Sequence, residues 1–232
     1  MSSSSNSSLS RRERERQMRR RVMLDAARAV FAEKGYAQAT LDEIAERAEF
    51  GKGTLYNYFD GGKQGLLFAV FEDVFGEIED LIRTVFHEEG TQDRSIREAF
   101  HTFAERHFET IRDQQDLFLI LVKEAHLMAF SDDADQAQFF QEQQQRLVDA
   151  LTAALEAAAD NDEIQRLPAA PVAHLLLANV RGMGIQSILS RRNGHCGEMA
   201  NSQTLLDDPT RAADFLTTLL FDGLETPDSS ST

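Results

Sequence analysis

Apolar residues recur at helical spacing along almost the whole chain, and no stretch alternates apolar and polar residues as a strand would. The pattern therefore predicts an all-α protein. The predicted helices cover residues 11–34, 41–48, 52–59, 63–87, 95–113, 115–130, 136–159, 171–192 and 209–224.

Two local signals set helix ends near the start of the chain. Gly35, in "KGY", is a natural stop for the first helix. Thr40 followed three residues later by Glu43 is a capping box, which starts the second helix at Leu41. In the second half of the chain, "RNGHCGEMANSQ" is predicted to be a loop.

Composition and helix length together predict two domains between short tails. The serine-rich residues 1–10 and the "TPDSSST" end, within 226–232, are predicted to be disordered. Residues 11–62, with short helices, form one predicted domain, and residues 63–225, with longer helices, form the other.

The composition favours a globular protein of the cytoplasm. Of the 232 residues, 42% are hydrophobic, and the single cysteine, Cys196, cannot form an internal disulfide. The arginine-rich start lacks the apolar segment of a secretory signal, and the longest apolar run, 117–122, is too short to span a membrane. No membrane association is expected.

Charge is distributed unevenly along the chain. Residues 1–63 carry 12 Lys and Arg against 9 Asp and Glu, whereas the remainder carries 12 against 30, within a total net charge of −15. A basic head on an acidic body suggests that the head meets a polyanion. A solvated arginine-rich tail is the alternative explanation of the first 24 residues.

The stretch "FGKGTLYNYFDGGK" at residues 50–63 combines glycines and lysines, a composition typical of phosphate contacts. A nucleotide-binding P-loop is excluded by the spacing, because Gly-Lys is followed by glycine or glutamine and no strand comes before it. The lengths of helices 41–48 and 52–59 fit a helix-turn-helix instead. Its predicted core contains Ile44, Ala48, Phe50, Leu55 and Phe59, and the small Ala45 is predicted to lie where the two helices cross.

The second of these helices would read DNA. Its outward residues Thr54, Tyr56 and Asn57 suit base edges in the major groove. Lysine and tyrosine side chains beside them suit phosphate oxygens, and Gly53 permits close approach to the backbone. The alternative is that one of the two tyrosines, Tyr56 or Tyr58, is an ordinary core residue.

The run "AEKGY…TLDEIAERA…KGTLYNYF" closely resembles the DNA-binding domain of the tetracycline-repressor (TetR) family over residues 16–73. The resemblance implies a helical homodimer with a three-helix DNA-binding head, an effector-binding body, and repression that is relieved by a small molecule. The DNA-binding residues that it predicts are Thr40, Lys52, Gly53, Thr54, Tyr56, Asn57, Tyr58 and Lys63.

Three departures from the family pattern bear on this prediction. Glu49 stands where the family usually has glycine at the start of the turn, and Gly51 replaces the usual Ser or Thr cap. One extra residue between Phe59 and Lys63 puts the phosphate role of Lys63 in question.

The resemblance assigns the last two helices, 171–192 and 209–224, to the dimer interface, where glycines at 182 and 184 would permit close approach. The predicted contacts are Leu175, Leu176, Val180, Met183, Phe215, Leu216, Leu219 and Leu220. The predicted effector pocket contains Phe103, His107, Phe118, Leu121, Val122, His126, Phe130 and Phe140. Sixteen phenylalanines and no tryptophan suggest an apolar effector, although most such residues form core.

No metal, cofactor or catalytic role is expected, because histidines and carboxylates lack the spacing of a metal site and "GHCG" lacks catalytic partners. Three hypotheses remain open: a DNA-binding regulator, a helical small-molecule-binding protein that has lost operator recognition, and, least favoured, an enzyme. Activation in place of repression is also open. Residues 11–21 are interpreted as a flexible arm that adds phosphate or minor-groove contacts.

Overall fold

The computed structural model describes residues 10–87, 94–131, 133–193 and 208–223. Within these ranges the chain forms α-helices and no strand, as the hydrophobic pattern predicts. In chain order the helices are α1 (Arg11–Gln38), α2 (Leu41–Arg47), α3 (Lys52–Tyr58), α4 (Gly62–His87), α5 (Ile96–Asp113), α6 (Gln115–Ala129), α7 (Ala134–Asp160), α8 (Ala169–Asn193) and α9 (Pro209–Asp222).

The helix ends follow the local signals in the sequence. The capping box of Thr40 and Glu43 is present at the start of α2. Gly35 has φ 76° inside α1, so the regular helix is interrupted where "KGY" predicts its end, and one further turn follows. Ser10 and Glu13 form a second capping box that sequence analysis did not identify.

Residues 10–73 form one compact unit, the head. Its core joins α1, α2, α3 and the first half of α4 through side chains that are almost fully buried, and these include Met23, Leu24, Phe31, Ile44, Leu55, Leu66, Leu67 and Phe71. Arg28 of α1 pairs with Asp73 of α4 at 2.7 Å, in a largely buried position. Because these contacts tie α4 to α1, the compact unit ends at residue 73, inside α4, and not at residue 62 as the predicted boundary has it.

The second compact unit, the body, begins at Val74. Its core is rich in phenylalanine. Phe100 and Phe103 of α5 are both buried, and the ring centres of Phe100 and Phe221 in α9 lie 5.9 Å apart. At the edge of the same helix pair, Arg97 forms an ion pair with Asp222, and the Nε2 atom of His101 lies within hydrogen-bond distance of the carboxylate of Asp214, at 2.8 Å.

Helix α8 is long and apolar enough between Ala169 and Leu189 to cross a membrane, judged by length and composition alone. A helix that packs inside a protein body can pass the same test. Ala173, Val180 and Ile188 on one side of α8 belong to the core of the body, but only 33% of the apolar segment is buried. The other side of α8 is therefore largely exposed within the described part of the chain.

Several predictions fall outside the described residues. They are the disordered tails at 1–9 and 226–232, most of the loop "RNGHCGEMANSQ" and, within it, Cys196.

Candidate nucleic-acid interface

The turn between α2 and α3 has the backbone geometry of a helix-turn-helix. The amide of Phe50 donates to the carbonyl of Ala45 at 3.0 Å, and the amide of Glu49 donates to that of Glu46 at 3.0 Å. These two bonds are those of a Schellman motif, whose left-handed residue is usually glycine. Here that residue is Glu49, with φ 58°.

The predicted core of the helix-turn-helix is confirmed. Ile44, Ala45, Ala48, Leu55 and Phe59 are all at most 5% exposed. Phe50 is half-buried. This packing holds α3 by one side and leaves its opposite side in solvent.

The free side of α3 carries the residues that were predicted to read DNA. Lys52, Gly53, Tyr56 and Asn57 are exposed, whereas Thr54 is half-buried. The exposure of Tyr56, 50%, argues against a role as a core residue.

Gly53 lies in open space on this face, since a Cβ atom there would have no neighbour within 4 Å. Glycine in a helix costs up to about 1 kcal/mol relative to alanine. No packing within the described chain requires that cost, so Gly53 suits the close approach of an external partner.

Two polar side chains frame the N-terminal end of this face. The ammonium of Lys52 lies 2.8 Å from the carboxylate of Asp42, and this hydrogen bond raises the pKa of Lys52. Both side chains are exposed, so a phosphate could compete for the ammonium. The hydroxyl of Thr40 accepts from the amide of Glu43, which leaves its own proton available to an oxygen acceptor.

Lys63 does not belong to this face, which corrects its predicted role as a phosphate contact. Its ammonium donates to the carbonyl oxygens of Tyr36, Ala37 and Ala39 at 2.9, 3.2 and 3.0 Å, and it lies 4.7 Å from the centre of the Tyr36 ring. An ammonium has three protons, and all three are used here. Lys63 therefore caps the end of α1.

The glycines beside Lys63 also serve the chain itself. Gly61 and Gly62 have φ 79° and 64°, in the left-handed region. A Cβ atom on Gly65 would lie 1.5 Å from the carbonyl oxygen of Asp60, which leaves no room for any side chain. The second half of the glycine- and lysine-rich stretch thus builds the tight α3–α4 turn.

Tyr58 lies at the C-terminal end of α3 and is half-buried. The guanidinium of Arg16 is 5.8 Å from the centre of its ring. The neighbouring Arg20 lies 5.5 Å from the ring of Phe59. These contacts bring the arginine-rich start of α1 beside the C-terminal end of α3. Residues 11–21 are helical, so their interpretation as a flexible arm is wrong: the Ser10–Glu13 capping box starts α1 at Arg11.

Residues 23–70, which contain this helix-turn-helix, match the family model described as bacterial regulatory proteins, tetR family. This part of the chain is therefore similar to the TetR family. Among curated proteins it is similar to the fatty acid metabolism regulator protein of Bacillus subtilis, with 28% identity over 42% of this chain and 48% of that protein. It is also similar to the transcriptional repressor KstR2 of Rhodococcus jostii, with 31% identity over 36% of this chain and 40% of that protein. The chain thus spans less than half the length of these two relatives.

Solved structures extend the similarity in fold to the body. The fatty acid degradation regulator FadR from Bacillus halodurans superposes with a TM-score of 0.69 and 21% identity, over 89% of this chain and 100% of that one. FadR from Bacillus subtilis, solved in complex with stearoyl-CoA, gives a TM-score of 0.68 and 20% identity, over the same shares of the two chains. At this identity the likeness shows a shared fold alone, and that likeness extends over both the head and the body.

In the body, the eight residues predicted to line an effector pocket do not share one surface. Phe103 and Leu121 are buried in the core, whereas Phe130 is 85% exposed. His126 is exposed, with its Nδ1 2.7 Å from the carbonyl oxygen of Val122 one turn earlier. The prediction is therefore corrected for His126 and Phe130, because both lie at the solvent-facing end of α6. Phe118, Val122 and Phe140 are half-buried.

His107 is buried and lies parallel to the ring of Phe103, with 5.8 Å between the ring centres. Burial lowers the pKa of His107 to about 4, because the imidazolium would lose its hydration. The side chain is consequently neutral near pH 7.

A groove of about 390 Å³ lies between α4 and α7, and none of the predicted pocket residues lines it. The carboxylate of Glu79, buried at its floor, pairs with the guanidinium groups of Arg83 and Arg146. Sequence analysis missed this cluster. The available signal was a glutamate on the apolar stripe of α4, four residues after Phe75 and three before Ile82.

The residues predicted to form the dimer interface divide into two groups. Leu176, Val180 and Leu216 are at most 6% exposed and pack inside their own chain, so they are removed from the interface prediction. Leu175 and Phe215 are 63% and 46% exposed. Met183, Leu219 and Leu220 are half-buried.

Proposed function

We propose that this protein is a sequence-specific DNA-binding repressor of the cytoplasm, which acts as a homodimer and leaves a palindromic operator when a small apolar effector binds to the body. The observation that carries the proposal is the free face of α3. Tyr56 and Asn57 are exposed there, beside a glycine that the chain itself does not require. Asparagine can bond bidentately to adenine, which gives this face the means to read sequence.

The free side of α8 supports the proposed homodimer. Leu175, Ala178, Gly182 and Leu189 are all exposed, and they recur at spacings of three, four and seven residues along one side of the helix. A Cβ atom on Gly182 would meet no neighbour within 4 Å, so the chain itself does not need glycine at this position. A small residue at the centre of an apolar stripe lets a second helix approach closely. A two-fold axis through this face would present two reading helices to a palindrome.

The proposed effector is a fatty acyl thioester. A similar solved protein is bound to stearoyl-CoA, and a curated relative is named as a regulator of fatty acid metabolism. The phenylalanine-rich core of the body suits an acyl chain once it opens. The groove beside it offers Arg83 and Arg146 to an anionic head, which would have to compete with Glu79.

Helix α4 is the proposed route from effector to DNA. It carries Glu79 and Arg83 in the body and Asp73 in the head, where Asp73 pairs with Arg28 of α1. An effector that draws Arg83 away from Glu79 would alter the position of α4 and, through α1, the separation of the two reading helices. A coupling of about 1–3 kcal/mol would be enough to lower operator occupancy.

The test begins with selection of random duplex DNA on the purified protein at moderate salt, followed by sequencing of the retained DNA. We expect an enriched palindrome. Asn57→Ala should relax the preference at one position in each half-site, whereas Lys52→Met should weaken binding to all sequences alike. Salt-sensitive binding without enrichment would instead support a small-molecule-binding protein that has lost operator recognition.

The effector class is tested on the selected palindrome by release of the protein from the DNA. Stearoyl-CoA should release it, whereas free coenzyme A, which has the same head but no chain, should not. Release by free stearate alone would assign the effector to fatty acids and exclude a role of the two arginines in binding the anionic head of a thioester.

A further inference from the structure

The start of α1 extends beyond the core of the head. Residues 11–19 are all exposed, and the first buried residue of the helix is Met23. The Ser10–Glu13 capping box and the exposed Arg11–Glu15 pair are among the local contacts that support this segment. Apart from the exposed Met18, this helical segment is polar, so it gains little from the core of its own chain and suits a surface for a partner.

Three arginines lie along one side of this extension. Arg12, Arg16 and Arg19 are spaced four and three residues apart, so they share a helix face, and four residues later the same face reaches Met23. The side of α1 that covers the core at Met23 therefore continues outward as a row of arginines. Arg16 lies over the ring of Tyr58, which places the row on the side of the reading helix α3.

These three arginines also differ from their neighbours in charge compensation. Arg11 pairs with Glu15, Arg20 approaches Glu72 at 3.7 Å, and Arg21 pairs with Asp73. Within the described ranges, no carboxylate lies within ion-pair distance of Arg12, Arg16 or Arg19. The uncompensated positive charge of the extension is thus concentrated on the face that borders α3.

We infer that Arg12, Arg16 and Arg19 form a rigid row that binds phosphates of the DNA flanking each half-site, outside the bases read by α3. The inference rests on the proposed function for its operator, but its charge argument applies to any duplex. The row spans about 10 Å along the helix, a length that suits two or three successive phosphates of one strand. It lies outside residues 23–70, so the family match does not supply it.

The test compares salt dependence in three forms of the full chain: wild type, the triple variant Arg12→Gln, Arg16→Gln, Arg19→Gln, and a control triple variant Arg94→Gln, Arg112→Gln, Arg166→Gln. The control removes the same charge from exposed positions of the body. Glutamine and arginine have similar helix propensities, so far-UV circular dichroism should be unchanged in all three forms. Binding is measured between 50 and 200 mM salt on the selected operator and on a random duplex of equal length.

The row variant should reduce the slope of log affinity against log salt by up to about 5 per dimer, that is, about 0.9 for each of six lost phosphate contacts. The control should keep the wild-type slope, and the ratio of operator to random affinity should stay the same in both variants. Equal slopes for the row variant and the control would overturn the inference while leaving operator reading intact. If the wild type binds the operator and the random duplex equally well, the proposed function is overturned. The salt slopes on the random duplex would still test whether the three arginines bind phosphates.

Discussion

Glu49 occupies the position in the helix-turn-helix where the backbone conformation favours glycine. Its φ of 58° is left-handed, a region that costs a residue with a side chain about 1–2 kcal/mol. The residue is exposed, so its side chain gains no core packing in return.

Glu49→Gly should raise the free energy of unfolding of the head by about 0.5–1 kcal/mol, because the relief of strain exceeds the added freedom of glycine in the unfolded chain. Tyrosine fluorescence during urea unfolding would measure it. The chain contains three tyrosines and no tryptophan, and all three, Tyr36, Tyr56 and Tyr58, lie in the head. As a control, Glu46→Gly, inside α2, should lose stability; a loss in both variants would show that the turn is not strained.

His107 makes the stability of the body depend on pH. Its pKa is about 4 in the folded protein and near 6.5 when unfolded, so the unfolded state binds the proton first as pH falls. The stability associated with a neutral His107 is complete above pH 6.5 and is lost between pH 6.5 and about 4. The loss amounts to roughly 3 kcal/mol, at 1.36 kcal/mol for each pH unit.

His107→Phe removes this titration while keeping a ring beside Phe103. The difference in unfolding free energy between the wild type and the variant should shift by roughly 3 kcal/mol in favour of the variant between pH 7 and pH 4. Denaturant unfolding followed by circular dichroism at several pH values would measure the difference. A difference that is constant with pH would show that His107 is accessible to solvent.

At the scale of elements, the two lysines of the glycine-rich stretch have opposite roles. Lys63 joins α4 to the end of α1 through three carbonyl oxygens. Lys52, at the first turn of α3, has only an exposed partner in Asp42. One side chain holds the head together, and the other remains available to DNA.

Lys63→Met should lower the free energy of unfolding of the head by roughly 1–3 kcal/mol, because the carbonyl groups lose a charged donor. It should leave the salt dependence of DNA binding unchanged. Lys52→Met should do the reverse: the salt slope should fall by about 1 per head, with unfolding unaffected. Urea unfolding and salt titration of both variants would measure these effects, and a fall in slope for Lys63→Met would return that residue to the DNA interface.

At the scale of the whole molecule, we propose that the free face of α8 joins two chains and so lets two heads act together. Leu175 is 63% exposed on this face. Leu175→Glu should convert the dimer to a monomer in sedimentation experiments, because a buried carboxylate without a partner costs several kcal/mol. Affinity for the palindrome should then fall towards that of a single half-site.

The matched control is Leu127→Glu, which makes the same change at an exposed leucine of α6. This variant should remain a dimer and bind DNA as the wild type does. Dissociation of both variants would mean that the dimer forms through another surface.

The sequence by itself determined the helical class, nearly every helix boundary and the exposed face of α3. These properties are local. Apolar periodicity, the Thr40–Glu43 capping box and Gly35 each affect only residues a few positions away, so their effect can be predicted from the sequence. The core of the helix-turn-helix was predictable for the same reason, because α2 and α3 are adjacent in sequence and too short to pack in many ways.

Only the tertiary structure decided which charged and apolar side chains are engaged by other residues of the same chain. The sequence predicts Lys63 as a phosphate contact, but in the structure its three N–H donors bond to carbonyl oxygens of residues more than twenty positions earlier in the chain. Glu79 pairs with Arg146, which is 67 residues away in the sequence. Leu175 and Leu176 are adjacent in the sequence, but Leu176 is buried in the core and Leu175 is exposed to solvent. Such pairings depend on how the helices pack against one another in space. The sequence pattern gives the spacing of residues within one helix, but it does not show which residues of another helix lie opposite them.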